Sequence, residues 1–168
     1  MTPLVAFNLG EAPDHRGRFV GEILQQDDDW LEATHDYIQW LFPLREPSQA
    51  VPGSPVVDAA TRDAFLGEDC LREQLRANLQ RMLAFYGLAW QDGRVVEAAT
   101  WGARRRNWFT HPTHNNLRLT RIIRSLSLLG LDAEARALQH GLDALQAAEP
   151  DCGVGATAVT YWREALRT

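Results

Sequence analysis

An all-α fold is what the amino-acid sequence predicts: a compact single-domain helical bundle of six to eight helices over residues 1–168, with a proline-rich loop after the second helix. Three observations carry this expectation. Apolar residues recur at helical spacing in several long segments, which marks a buried face. Strict apolar–polar alternation, the mark of a half-buried strand, is nowhere sustained. A chain of 168 residues, 45% apolar and with six tryptophans, is long enough to bury one core of ordinary size.

In chain order, Asp14 is placed to cap a short helix whose apolar positions are Phe19, Val20, Ile23 and Leu24. Asp29 then reads as the N-cap of a longer helix, with Glu32 at the reciprocal position of a capping box. Pro43 removes a donor and restricts Phe42, so this helix ends at Leu41 or Phe42. Trp30, Leu31, Thr34, Ile38, Leu41 and Phe42 form one arc with His35 at its edge, while Tyr37 and Trp40 lie on the other side. A helix apolar on two sides is covered on two sides, which makes it the central helix of the expected bundle.

Pro43, Pro47, Pro52 and Pro55 make the following segment, to about Val57, an extended loop: a packing strap or a binding loop. Asp58 begins a short helix through Phe65. From Glu68 to Tyr86, the positions of Leu71, Leu75, Leu79, Met82, Leu83 and Tyr86 trace a single stripe, and Gly87 is its C′ stop. Gln91-Asp92-Gly93 reads as a turn, and Val95–Ala99 is open between a strand and a helical turn. Arg104–Thr113 is expected to be irregular, pinned by Trp108, Phe109 and Pro112. Thr113 or Asn115 caps the next helix, which buries Leu119, Ile122, Ile123, Leu126 and Leu129 and stops at Gly130. Asp132 caps another that buries Leu138, Leu142 and Leu145. After Pro150, Gly153 and Gly155 set off a last helix, Ala156–Leu166, anchored by Tyr161 and Trp162.

Three stretches carry more than periodicity. The run His35–Ser48 (HDYIQWLFPLREPS), the run His114–Leu126 (HNNLRLTRIIRSL) and Met82–Gly87 between them resemble the opioid growth factor receptor conserved region, in that family's order. The sequence departs from the family pattern at Val51, where Asn is usual, and at Ser54, where Ala commonly precedes the proline. The resemblance implies a helical ligand-binding or interaction domain without a membrane span, in a family named for binding a short opioid peptide.

Charge is unevenly spread. The net charge is −5, yet no acidic residue lies between Glu97 and Asp132, where Arg104, Arg105, Arg106, Arg118, Arg121 and Arg124 supply +6 and leave −11 on the rest. Asp27, Asp28, Asp29, Glu32 and Asp36 concentrate the opposite sign, an asymmetry that speaks of partners inside or outside the molecule. Arg118, Arg121 and Arg124 share one helix face, the first two close to an N-terminus that disfavours cations. Their counter-charge is either the Asp27–Asp36 run or a bound anion.

A peptide of the kind the resemblance implies needs an aromatic slot and a cation for its carboxylate. The candidates are Trp40 or Trp108 with Arg118 or Arg121, joined by His35, His114 and Asn115. The expected partner is a short peptide or an anionic small ligand. A second reading makes the Arg104–Arg124 surface a phosphate or nucleic-acid binder, with Trp101, Trp108 and Phe109 interleaved. A third is an enzyme with a cleft around His35, His114 and Asn115.

No nucleophile elbow, phosphate loop or dinucleotide fingerprint supports catalysis, so no catalytic residue and no cofactor are expected. Cys70 and Cys152 fit neither a disulfide framework nor a zinc ligand set, and no metal is expected. No apolar run reaches membrane-spanning length, and Met1–Gly10 lacks the features of a signal peptide. A cytoplasmic location follows as an expectation.

Overall fold

A computed structural model describes residues 1–167. The chain divides into two compact units, Met1–Leu79 with Leu128–Gly130, and Gln80–Ser127 with the chain from Leu131 onward.

The first unit begins with α1 (Pro3–Asn8), capped by Thr2, whose hydroxyl accepts the Val5 N–H and meets the Thr61 hydroxyl at 2.8 Å. Next comes a turn at Asp14–Arg18. The buried Asp14 accepts the N–H groups of Arg16 and Arg18 and the Arg18 guanidinium, so it caps this turn and not the following helix. α2 (Val20–Leu24) starts at Phe19, whose N–H is taken by the Glu22 carboxylate at 2.8 Å.

The expected central helix over Trp30–Phe42 is two short helices, α3 (Asp28–Ala33) and α4 (Ile38–Leu41), with Thr34 already extended. Asp27, not Asp29, caps α3 by accepting the Trp30 N–H. The break is tertiary in origin. Asp36 turns out to meet Arg16 and Arg18 at 2.9 and 3.0 Å, and the buried Tyr37 donates its hydroxyl to the Leu31 carbonyl. Leu31, Ile38, Leu41 and Phe42 are buried as the period requires, and so are Tyr37 and Trp40.

The proline-rich loop therefore follows the fourth helix. Its two ends are joined, because the Val57 N–H donates to the Leu44 carbonyl at 2.8 Å beside a parallel bridge between Leu44 and Val56. α5 (Ala59–Gly67) is capped by Asp58 and buries Thr61 and Phe65. α6 (Asp69–Tyr86) buries every position of its predicted stripe; its residues up to Leu79 belong to this unit, where the buried Asn78 donates to the Leu41 carbonyl and to Asn8.

The second unit corrects the all-α expectation. After Gly87 (φ 78°), β1 (Leu88–Gln91) and β2 (Arg94–Glu97) pair antiparallel, Gln91 opposite Arg94. Asp92 and Gly93 have φ of 51° and 76°, the positive pair that a two-residue hairpin turn needs to match strand twist. α7 (Trp101–Arg104) runs into a 3-10 turn, Arg105–Asn107. α8 (His114–Leu128), α9 (Asp132–Ala148) and α10 (Ala156–Glu164) follow, making ten α-helices and one hairpin among the described residues, against the six to eight helices expected. α9 packs on β2 closely enough that a Cβ on Gly141 would lie 3.0 Å from the Val95 carbonyl oxygen. The core gathers Trp108, Phe109, Tyr86, Ile122, Leu126, Leu138 and Trp162.

Candidate ligand-binding site

The seven residues singled out from the sequence divide between the units. In the first, His35 is exposed between α3 and α4, and its carbonyl accepts from the Gln39 side chain. Trp40 is buried against Phe7 (ring centroids 5.2 Å apart), and its indole N–H donates to Nδ1 of His15 at 3.0 Å. With Nδ1 an acceptor, the His15 proton sits on Nε2, 3.3 Å from the Asp36 carboxylate. Burial raises the pKa of that carboxyl, but hydrogen bonds from Arg16 and Arg18 outweigh it and hold it below the usual range.

In the second unit, Trp108 is wholly buried. It donates its indole N–H to the Tyr86 carbonyl at 2.9 Å and touches the rings of Tyr86, Trp101, Phe109 and Trp162. Asn115 is equally buried, giving its N–H to the Thr113 hydroxyl and its carbonyl to the Tyr86 hydroxyl. Arg118 is 6% exposed and reaches back to the Asn115 side chain at 3.5 Å. Arg121 is half-buried; His114, the first residue of α8, is exposed. Neither Trp40 nor Trp108 therefore offers a ring face to a ligand; both are core anchors.

The basic stretch is also largely spent inside the unit. Arg104 donates to the Phe85 carbonyl at 2.8 Å and lies over its ring. Arg105 lies over Trp101 and Phe109 and binds the Glu149 carboxylate with both terminal nitrogens. The bond to Glu149 comes first in holding the Arg105 pKa above its ordinary value, and its reciprocal holds Glu149 below.

What α8 and α10 leave open is a groove between their N-terminal halves. It has a volume of about 260 Å³ and is bounded mainly by Pro112, Asn116, Leu117, Val154, Ala158 and Tyr161. The first turn of α8 ties its walls together. Asn116 Oδ1 accepts the Thr113 N–H at 2.8 Å, and its Nδ2 donates to the Trp108 carbonyl. The Asn116 carbonyl takes the indole N–H of the buried Trp162 at 3.1 Å, tying α10 to α8. The floor is the buried Val154 between two glycines, both at φ 91°. At Gly153 a Cβ would stand 2.1 Å from the Thr110 carbonyl oxygen, so no other residue brings the loop this close.

Two large side chains rim this groove in the open: Leu117 is 63% exposed and Tyr161 47%. Neither was singled out from the sequence. The signal for Leu117 was present, since it lies roughly 180° from the Leu119–Ile122–Ile123–Leu126 arc at 3.6 residues per turn. The expectation that Tyr161 and Trp162 both anchor the last helix holds for Trp162 alone, which is buried. Gly155 precedes α10 and has no side chain to cap it, leaving the first N–H groups of that helix beside the groove.

Among the described residues no group of three His, Cys, Asp or Glu is arranged to hold a metal ion, and no helix is long and apolar enough to cross a membrane.

Fold and groove together describe a mostly helical protein with one short hairpin and an apolar recess on its second unit. Residues 15–167 match the family model of the opioid growth factor receptor (OGFr) conserved region, and the chain belongs to this family. It is 41% identical to the mouse opioid growth factor receptor over 69% of this chain and 19% of that protein. It is 35% identical to the human receptor, over 90% of this chain and 23% of that protein. Identity to mouse opioid growth factor receptor-like protein 1 is 34%, over 70% of this chain and 26% of that protein. The chain thus spans about a fifth to a quarter of the length of these relatives. No solved structure matches.

Proposed function

We propose that the chain is a peptide-recognition module that seats one large apolar side chain of a short segment in the groove between α8 and α10. The observation that carries this reading is the pair of exposed residues, Leu117 and Tyr161, rimming an apolar recess whose walls are fixed by buried hydrogen bonds. A volume of about 260 Å³ lies just under the range of about 300–1,000 Å³ typical of small-molecule sites, which suits a single side chain better than a whole cofactor. The uncapped start of α10 supplies N–H donors for a peptide carbonyl or terminal carboxylate beside that side chain. Relatives named as receptors for an opioid growth factor agree with a ligand of this kind.

Calorimetric titration with a short phenylalanine-bearing peptide, and with the same peptide carrying alanine in its place, tests the reading. Binding of the first and not the second is expected, lost in Leu117→Ser with Tyr161→Ser. Equal heats for both peptides, or full binding by the double variant, would refute it.

A further inference from the structure

A second recess lies in the first unit, where the proline loop returns to α5. It has a volume of about 340 Å³ and is lined by Arg45, Val57, Asp58, Ala59, Arg62 and Asp63. The Leu44–Val57 bond closes the base of the loop next to Arg45, an exposed residue at the edge of the recess. Arg62 sits one turn into α5. Neither guanidinium makes a hydrogen bond or ion pair among the described residues, in contrast to Arg16, Arg18, Arg105 and Arg163. Arg62 goes further: its Nε is sealed from solvent with no acceptor among the described residues. A buried charged donor left unmatched is costly, and a helix start is a poor place for a cation unless an anion joins it.

We infer that Arg45 and Arg62 form an oxyanion site, taking a phosphoryl or carboxylate group between the foot of the proline loop and the first turn of α5. Two guanidiniums on different elements can hold one oxyanion from two directions, with the terminal nitrogens of Arg62, not its sealed Nε, meeting two of its oxygens. The two carboxylates in the recess do not close it. Asp58 is engaged as the α5 cap: its Oδ1 accepts the Thr61 N–H at 2.7 Å, and this bond holds its pKa below the ordinary value. Asp63 is exposed, where solvent and salt screen its charge. They weaken binding of bare phosphate and favour an oxyanion whose remainder is neutral or cationic.

The test is thermal melting of the full chain with inorganic phosphate against chloride at matched ionic strength, with acetate as a second arm. At about ten times its Kd, phosphate multiplies the folded-to-unfolded ratio about elevenfold, a rise of a few degrees. Arg62→Gln and Arg45→Gln should each lose most of that rise, while Arg94→Gln, at an exposed position in β2, keeps it. Arg62→Gln should be no less stable than the parent without phosphate, because the cation it removes has no bond to lose. Amide shifts at Arg45 and Ala59–Arg62 on adding phosphate to the unmodified chain give a readout independent of any variant. A response to phosphate alone assigns a phosphoryl ligand, and a response to acetate as well extends the site to carboxylates. No response beyond chloride, or a full response in Arg62→Gln, would overturn the proposal.

Discussion

Leu117 and Leu119 stand two positions apart in α8 and have opposite surroundings, 63% and 0% exposed. Replacing each by alanine separates recess from scaffold. Burying a whole leucine side chain is worth about 1.5–3 kcal/mol, and only about a third of Leu117 is covered, so Leu117→Ala forfeits about 0.5–1 kcal/mol. Alanine, the better helix former, returns part of this. Leu119→Ala loses the transfer term and leaves a cavity, costing about 2.7–5 kcal/mol. In a chain of this size about 1 kcal/mol shifts the midpoint by about 2–4 °C, so the two variants should melt about 0–4 °C and about 5–20 °C below the parent. Calorimetry and urea unfolding of both give the comparison. A loss above about 2 kcal/mol for Leu117→Ala would show that this residue belongs to the core, and the recess would lose its rim.

The floor of the recess is equally exposed to test. Gly153→Ala puts a Cβ against the Thr110 carbonyl and forces a left-handed backbone on a non-glycine residue, which costs about 2–3 kcal/mol. A change below about 1 kcal/mol in urea unfolding would contradict the close approach. Asp36 predicts a pH dependence. Its folded pKa lies below the ordinary 3.8, so its contribution is present above that value and fades as pH falls through the folded one. Arg18→Gln should flatten acid unfolding in that range, and an unchanged acid limb would remove the Arg16–Arg18–Asp36 cluster from the account.

Local pattern foretold the long helices and misjudged the segments whose shape is set at a distance. The stripe from Leu71 to Tyr86 and the arc from Leu119 to Leu126 are long enough for period alone to identify them, and the structure buries both. The hairpin escapes sequence pattern because each strand has four residues, too few to show alternation, although Asp92-Gly93 reads as a turn. The break between α3 and α4 was invisible because periodicity continues through Thr34–Tyr37, while Arg16, Arg18 and His15 far back in the chain draw Asp36 aside.

For the site, composition could not distinguish an aromatic left open beside a recess from one that fills the core. Trp40 and Trp108 look alike with Leu117 and Tyr161 until burial is known. The better guide was a large apolar residue on the wrong side of an amphipathic helix, where the cost of exposure asks for a reason.

The most direct measurement is an amide chemical-shift map of the chain titrated with the phenylalanine-bearing peptide. The account predicts saturable shifts concentrated at Thr113, Asn116, Leu117, Gly155, Thr157, Ala158 and Tyr161, the amides around the groove. Shifts centred on the first unit, or saturation that leaves these amides unmoved, would contradict it.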